Sequence, residues 1–381
     1  MPYFSFSLKQ TSLNSALHKI IIKYNLEPNI KYFSKNTKIW STLNKKNASM
    51  HLNSLQYEKM NSFLINKSSV LFLMPPSIGL GDAIEYAISL KSILEKNIFK
   101  KIGIGFVYNY KFIFNNLFKF NNVFENTITE KDLISFDTTF HFSKEIKKIH
   151  YQKYYRSNIE KEICDFFNIN IKKKISRKFS KIKKITLFPI STSPIRTMPV
   201  EIINSIISNF NEKIEIEIVL DKFYSTSEYI LSNIKLKNSK LIFHNKLEEL
   251  FDIVKSIDYG IFIDSGPLHL AKLLNKSGLF IETSVSHQIL LHKFKSIKFI
   301  KNSFCSDYCE APCGLTNLFN LNNSAGCYQT HKISKYDLDK NKTTFQRGNL
   351  KKSYNHFMSN PVGCVKNIDL KKILNTIKES I

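Results

Sequence analysis

Residues 250–284 read LFDIVKSIDYGIFIDSGPLHLAKLLNKSGLFIETS, and this stretch decides the fold. Tyr259-Gly-Ile-Phe-Ile263 is a short apolar run, the pattern of a strand buried on both faces. It stops at Asp264-Ser265-Gly266-Pro267. Leu268, Leu270, Ala271, Leu273 and Leu274 then recur at helical spacing. A buried strand therefore runs through a polar turn into a helix, with Asp264 or Ser265 as its cap and Pro267 in its first turn. Backbone N–H groups at such a helix start form an anion site. A second apolar run, Gly278-Leu-Phe-Ile281, reads as the next parallel strand. In open α/β sheets, ligands bind beyond the carboxyl ends of the strands, which is where this turn falls.

The same grammar recurs on both sides. Val70-Leu-Phe-Leu-Met74 is a strand, followed by Pro75-Pro-Ser-Ile-Gly79-Leu-Gly81-Asp82. A helix with Ala83, Ile84, Ala87, Ile88, Leu90 and Leu94 as its apolar face comes next. The G-x-G-x-x-G spacing of dinucleotide-binding turns is absent after Gly81. Lys101–Val107 reads as a second strand, Tyr110–Phe120 as a helix, Asp132–Phe142 as holding a short strand, and Glu160–Phe167 as a helix. Residues 171–184 carry lysines and isoleucines without a period and read as an interdomain linker. Lys184-Ile-Thr-Leu-Phe188 opens a second series, followed by a polar loop with Ser191, Thr192, Ser193 and Arg196, and a helix containing Ile202, Ile203, Ile206, Ile207 and Phe210. Ile214–Leu220 and Leu241–His244 are further strands, and Leu247–Ile257 a helix. The organisation is α/β, with an extension at 1–67, one Rossmann-like domain at 68–175, another at 183–300, and a cysteine-containing segment at 301–381. Within the extension, Leu13, Leu17, Ile20 and Ile21 suggest one amphipathic helix, and Lys35–Lys46 reads as loop.

Asp264-Ser-Gly-Pro-Leu-His269-Leu-Ala resembles the donor-site signature of the heptosyltransferase-like glycosyltransferases of family 9. The Gly-Asp pair at Gly81-Asp82 and the basic residue before Met198-Pro199 resemble two further family features in the right order. The resemblance spans roughly residues 69–300 and the final helix. It implies a GT-B fold, two Rossmann-like domains facing across a cleft. It also implies inverting transfer of a sugar, heptose among the candidates, from a nucleotide diphosphate donor, with no catalytic metal. The implied acceptor is a glycan, lipopolysaccharide or other glycolipid, or a protein. Carried onto this sequence, Asp82 is the general base, with Gly79 and Gly81 on the acceptor side. Arg196, Glu228, Asp264, Ser265, Gly266, Pro267 and His269 are the donor-binding residues. The chemistry suits the residue types. A carboxylate can take the proton of an acceptor hydroxyl as the bond forms, and a helix start holds it ionised. An arginine can meet the leaving diphosphate. The sequence departs from the family where Arg196 and Met198 replace the usual Lys and aromatic, where the turn before Glu228 lacks glycine, and at Glu282-Thr283-Ser284, where relatives have a glycine-containing turn.

Charge leaves other readings open. The net charge is +25, from 56 basic and 31 acidic residues. The lysines are spread along the chain rather than gathered in one block, and the Asn/Ile/Lys/Phe bias is what AT-rich coding produces. The charge favours anions in general: a diphosphate donor, an acidic glycan or an anionic membrane face. Specific nucleic-acid recognition is not expected. Two rivals stand beside the transferase: a non-enzymatic anion- or nucleic-acid-binding protein, and a catalytically degenerate nucleotide-sugar-binding scaffold. No run approaches 18 uninterrupted apolar residues, so no transmembrane helix is expected. The start shows no secretory apolar core. The expected location is cytoplasmic, with peripheral contact at the inner face of the membrane.

Five of the six cysteines fall after residue 300, spaced C-x3-C-x3-C-x13-C-x36-C from Cys305 to Cys364. Four thiolates can hold Zn or Fe tetrahedrally. The candidate ligands are Cys309, Cys313, Cys327 and Cys364, with a structural role. The competing reading is reduced, partly buried thiols.

Overall fold

A computed structural model describes residues 5–7, 31–33, 40–42, 69–74, 79–106, 110–125, 127–129, 132, 135–141, 158–171, 182–306, 309–314, 355, 357–361 and 363–381. The chain divides into two compact units, residues 1–153 with 157–172 and residues 154–156 with 173–381.

The first unit holds β1 (Ser69–Leu73), β2 (Lys101–Phe106), β3 (Asn122–Glu125) and β4 (Thr138–His141) in the order β3-β2-β1-β4. All three pairings are parallel. Helix α1 (Leu80–Glu95) follows β1, and α2 (Ile159–Phe166) packs on α1. Val70, Leu71 and Phe72 are buried, as a strand covered on both faces requires. Phe72, Phe99 and Phe167 meet edge to face at 5.9–6.1 Å, the arrangement ring quadrupoles favour. At the sheet's amino edge the Ser69 amide donates to Asp137, and the Asp137 amide donates to the Ser69 hydroxyl, both at 2.8 Å. That clamp fixes the β1–β4 register. Glu85, buried in α1, accepts from the Asn158 side chain at 3.0 Å, and Asn158 also caps α2. One amide thus joins the two helices.

Two readings change here. The helix expected over Tyr110–Phe120 is a π-helical turn, Phe112–Leu117, in which the Phe118 amide reaches back five residues to the Ile113 carbonyl. Wider turns let bulky side chains pack inward, and Phe114 sits with its ring 5.0 Å from Phe106. Within the stretch expected to be loop, Trp40–Thr42 pairs antiparallel with Lys31–Phe33. Three-residue strands are too short to show a period. Ser5–Ser7 likewise pairs with Thr127–Thr129. The amphipathic helix expected around Leu13–Ile21 lies outside the described residues.

The second unit holds β5 (Lys184–Phe188), β6 (Glu215–Asp221), β7 (Lys240–His244), β8 (Tyr259–Phe262), β9 (Ser277–Ile281) and β10 (Ile297–Ile300). They lie in the order β7-β6-β5-β8-β9-β10, and every neighbour is parallel. The connecting helices are α3 (Val200–Phe210), α4 (Ser225–Asn233), α5 (Leu247–Ser256), α6 (Gly266–Leu273) and α7 (His287–Leu290). The core is built from Ile185, Leu187, Ile203, Ile206, Ile218, Ile261 and Leu279, all fully buried. Helix α6 stops because Asn275 takes a positive φ of 53°, and its amide and that of Lys276 bond back to Lys272 and Ala271, a left-handed cap. The chain then turns directly into β9. The final helix, read from the sequence as one, is two: α8 (Gly363–Lys366) and α9 (Leu370–Lys378). Asp369 caps α9 by accepting from the Lys372 amide at 2.9 Å, so the cap breaks the run. The short hairpin of β11 (Phe304–Ser306) and β12 (Cys309–Ala311) lies between β10 and α8 in the chain.

Two glycines set the spacing at the centre of this sheet. Gly260 of β8 pairs with Gly278 of β9. The Phe262 ring folds over both: a Cβ on Gly260 would meet its Cζ at 2.1 Å, and one on Gly278 would meet the Gly260 carbonyl oxygen at 2.3 Å. Phe262 in turn stacks on Phe188 at 5.2 Å. Because the obstacle at Gly278 is backbone, repacking cannot relieve it. Gly278→Ala is expected to destabilise the second unit by about 2–3 kcal/mol, a Tm drop of about 4–12 °C in calorimetry. An unchanged Tm would show that the two strands separate freely here.

Candidate functional site

Counted within the second unit, the strands lie in the order 3-2-1-4-5-6. Chain connections diverge between β5 and β8, which opens a crevice beyond their carboxyl ends. Two loops flank it. The loop after β5 runs 189–199 and contains a 3₁₀ turn, Pro194–Arg196. Pro194 fixes the backbone there, and the buried Thr197 hydroxyl accepts from the Ser191 amide at 3.3 Å while donating to the Ser193 carbonyl at 2.9 Å. The loop is held internally before any ligand arrives. The other loop is Asp264-Ser265, leading into α6.

Arg196 joins them. Its Nη1 donates to the Asp264 carboxylate at 3.1 Å and to the Asp264 carbonyl at 3.0 Å, and its Nη2 donates to the Thr192 hydroxyl at 3.1 Å. The side chains are 14% and 8% exposed, so the pair is shielded without being sealed off. Charge-assisted bonds in such surroundings are strong and orient the guanidinium. Ser265 stands at the cap position of α6 with extended backbone, but its side chain makes no capping bond. Asp264 does not cap either, because its carboxylate is taken by Arg196. The sequence reading of either residue as a side-chain cap is therefore corrected. Gly266 and Pro267 form the first two helical positions, half-buried.

His269 does not reach outward. It is buried, with Nδ1 3.3 Å from the Nζ of Lys272, a lysine with no exposed surface whose ammonium lies over the Phe294 ring at 5.2 Å. Lys272 carried no signal in the sequence, since one lysine in a lysine-rich chain is unremarked. Glu228 sits exposed in the first turn of α4. The structure brings together Arg196, Asp264, Ser265 and Gly266 through direct bonds and chain neighbourhood.

The departure at 282–284 is resolved into a specific arrangement. Glu282, Thr283 and Ser284 are all buried at the carboxyl end of β9, next to β8. One oxygen of Glu282 accepts from the His287 amide at 2.7 Å and pairs with His287 Nδ1, and the His287 ring stacks on Phe299. The Ser284 carbonyl accepts from the Gly314 amide at 2.7 Å. The other Glu282 oxygen and the hydroxyls of Thr283, Ser284, Ser193 and Ser227 are buried without a protein hydrogen-bond partner. An unmet buried hydroxyl costs about 1–3 kcal/mol, so several of them on the carboxyl-end loops of one sheet point to a polar ligand or ordered water. The sequence places Ser193 in the polar loop before Arg196, but it carries no signal that the hydroxyls of Ser227, Thr283 and Ser284 are buried together. Their burial depends on which strands are neighbours.

In the first unit, Asp82 is the third residue of α1, half-buried. Its carboxylate accepts from the Gly79 amide at 3.2 Å. Like the Arg196 loop, it lies beyond the carboxyl end of a first strand, β1, beside which β4 reverses the strand order. Among the described residues, a Cβ on Gly79 would have only Asp82 Oδ2 within 4 Å, at 3.9 Å. Gly81 is the second helical residue.

Of the cysteines chosen as ligands, Cys364 is buried and Cys313 half-buried, while the side chains of Cys309 and Cys327 lie outside the described residues. Cys305 is exposed. Among the described residues no group of three or more His, Cys, Asp or Glu is placed to hold a metal ion, so the described thiols do not by themselves fit one. The cysteine segment packs near the Arg196 loop, where α8 contacts the 3₁₀ turn carrying Arg196, and within the segment Asn302 donates to the Cys364 carbonyl.

A crystal structure of a family 9 glycosyltransferase from Veillonella parvula superposes with a TM-score of 0.50 at 9% identity, covering 83% of this chain and 97% of that one. The fold is the GT-B fold of the family 9 glycosyltransferases. The E. coli ADP-heptose lipopolysaccharide heptosyltransferase II matches with a TM-score of 0.41 at 10% identity, over 75% of this chain and 99% of that one. The iron-containing dodecameric glycosyltransferase TibC from enterotoxigenic E. coli matches at 0.44 and 11% identity, over 82% and 76%. No family sequence model and no curated protein sequence matches the chain. With identities near a tenth, the likeness is one of backbone, and the GT-B fold alone fixes neither donor nor acceptor. Among the described residues no helix is long and apolar enough to cross a membrane.

Proposed function

We propose that the protein is an inverting glycosyltransferase that uses a nucleotide diphosphate sugar, with heptose among the candidate sugars. The observation that carries this reading is the oriented Arg196–Asp264 pair beside the α6 start, with the unpartnered hydroxyls of Ser193, Thr283 and Ser284 on the same sheet's carboxyl-end loops. Arg196 and the first amides of α6 bind the donor diphosphate, and the hydroxyls donate to its oxygens or to the sugar. Asp82 removes the acceptor hydroxyl proton as that oxygen attacks the anomeric carbon from the face opposite the diphosphate. The bond to the diphosphate breaks with its electron pair, and the growing negative charge falls where Arg196 and the helix dipole lower its energy. The acceptor is a glycan, a glycolipid such as lipopolysaccharide, or a protein, and work on a glycolipid brings the protein to the inner face of the membrane.

The test is a donor screen. Purified protein is incubated with ADP-heptose and a panel of other nucleotide diphosphate sugars, and free nucleoside diphosphate is followed. The expected result is slow release from one donor in the absence of acceptor. Binding of a donor with no release under any acceptor mixture would favour a nucleotide-sugar-binding scaffold. Absence of binding to every donor would sink the proposal.

A further inference from the structure

Among the described residues seven large apolar side chains stand exposed, and five of them, Phe223, Tyr224, Leu231, Leu236 and Phe243, belong to the β6–α4–β7 crossover. Single exposed apolar residues are ordinary, whereas a gathering of them marks an interaction surface. Burial first, and Glu201 of α3 second, push the Tyr229 phenol up, so that flank of α4 faces α3. Leu231, two residues on, lies on roughly the opposite flank at about 100° per residue, and it is 44% exposed. On that side lies β7, the edge strand of the sheet. Phe243 of β7 pairs with Leu220 of β6, and paired neighbours share a face. Leu220 and Ile230 of α4 belong to one core cluster, so Phe243 stands on the α4 side of the edge strand, 39% exposed. Leu236 sits in the connection from α4 to β7, which α3 pins twice. The Lys235 amide donates to the Asn204 side chain, and the Asn211 side chain donates to the Lys237 carbonyl, both at 2.8 Å. The fold therefore holds these apolar side chains outward along one edge.

The charge on the same edge selects the partner. Residues 222–246 hold five lysines, Lys222, Lys235, Lys237, Lys240 and Lys246, against one acidic residue, Glu228. All five lysines are exposed, and Lys240 pairs with Glu215 of β6. A fitting partner offers negative charge at its surface and an apolar layer just beneath. Nucleic acid offers the first without the second, and a second copy of this chain, at +25, repels the lysines. A bilayer of anionic lipid offers both, phosphates for the lysines and acyl chains for leucine and phenylalanine, with the lysine stems lying along the apolar surface. We propose that the α4–β7 edge of the second unit is a docking surface for an anionic lipid bilayer. Leu231, Leu236 and Phe243 enter the headgroup layer, and Lys235, Lys237 and Lys246 meet its phosphates. The surface supplies the membrane contact of the proposed function and rests on that reading for its purpose, but lipid binding is measured without donor, so the two can fail separately.

The test is flotation of the full chain with vesicles of phosphatidylglycerol and phosphatidylethanolamine, and with vesicles of phosphatidylcholine, at about 0.15 M salt. Wild type is compared with Lys235→Glu plus Lys237→Glu, with Leu231→Gln plus Phe243→Gln, and with the control Lys371→Glu plus Lys378→Glu. The control pair are exposed lysines of α9, and their reversal changes the net charge by the same amount. Wild type should float with the anionic vesicles and not with phosphatidylcholine. One lysine near an anionic surface contributes about fivefold to affinity, so reversing Lys235 and Lys237 should weaken binding about 30-fold or more. Removing the two apolar side chains should weaken it about 10-fold. The control should stay within about threefold of wild type, because exposed charges beyond a Debye length are screened. In Leu231→Trp, the emission should move to the blue when anionic vesicles are added. An equal loss in both lysine pairs would overturn the proposal, since net charge alone would then drive binding. Undiminished binding of Leu231→Gln plus Phe243→Gln, or no binding of the wild type to anionic vesicles, would overturn it too. So would a dimer in sedimentation that the Leu231 and Phe243 substitutions dissolve, which would assign the edge to a second copy.

Discussion

Asp82→Asn should lower kcat by about 10²- to 10⁴-fold while leaving KM for the donor and the Tm close to wild type. The separation follows from geometry. Asn retains a side-chain oxygen to accept from the Gly79 amide, the bond the carboxylate makes at 3.2 Å. What the fold loses is the attraction between a charge and the start of α1, about 0.3–1 kcal/mol. On the proposed mechanism the reaction loses the base that takes the acceptor proton, so the defect belongs in the transition state and not in donor binding. Donor turnover measured at saturating acceptor, beside a melting curve, reads both. A kcat within a few-fold of wild type would reduce Asp82 to a helix cap.

Arg196→Met should have two effects of different origin. Asp264 would remain mostly buried with its partner gone. Removing one member of a shielded pair costs about 3–5 kcal/mol, and the residual exposure here places the loss near the lower figure, about 6–12 °C in Tm. Nucleotide diphosphate binding should fall by about 10²-fold, the value of one or two charge-assisted bonds. The double variant Arg196→Met with Asp264→Leu separates the two, since no stranded charge remains. It should regain most of the Tm and none of the affinity. Recovery of binding along with stability would mean that the arginine serves the fold alone.

The chain itself announced a good deal of this. Apolar runs such as Lys184–Phe188 and Tyr259–Ile263 mark buried parallel strands because such strands need no polar face, and their turns fall where ligands bind. Asp82, Arg196 and Asp264 were legible because each sits at a strand-to-helix junction, a place fixed by local order along the chain. β10 went unread because two of its four side chains, Lys298 and Phe299, are exposed, which erases the run. The π-turn at Phe112–Leu117 went unread because ring packing decided it, not propensity.

What the sequence determined, then, was element type, order and the junction residues, since those depend on neighbours within about four residues. Tertiary structure alone decided which junctions meet. Arg196 and Asp264 are 68 residues apart and become partners only because β5 and β8 are adjacent strands. The same adjacency takes the Asp264 carboxylate away from the start of α6 and gives it to Arg196. That outcome is a competition between a local bond and a distant one, and the distant partner exists only once the sheet has formed.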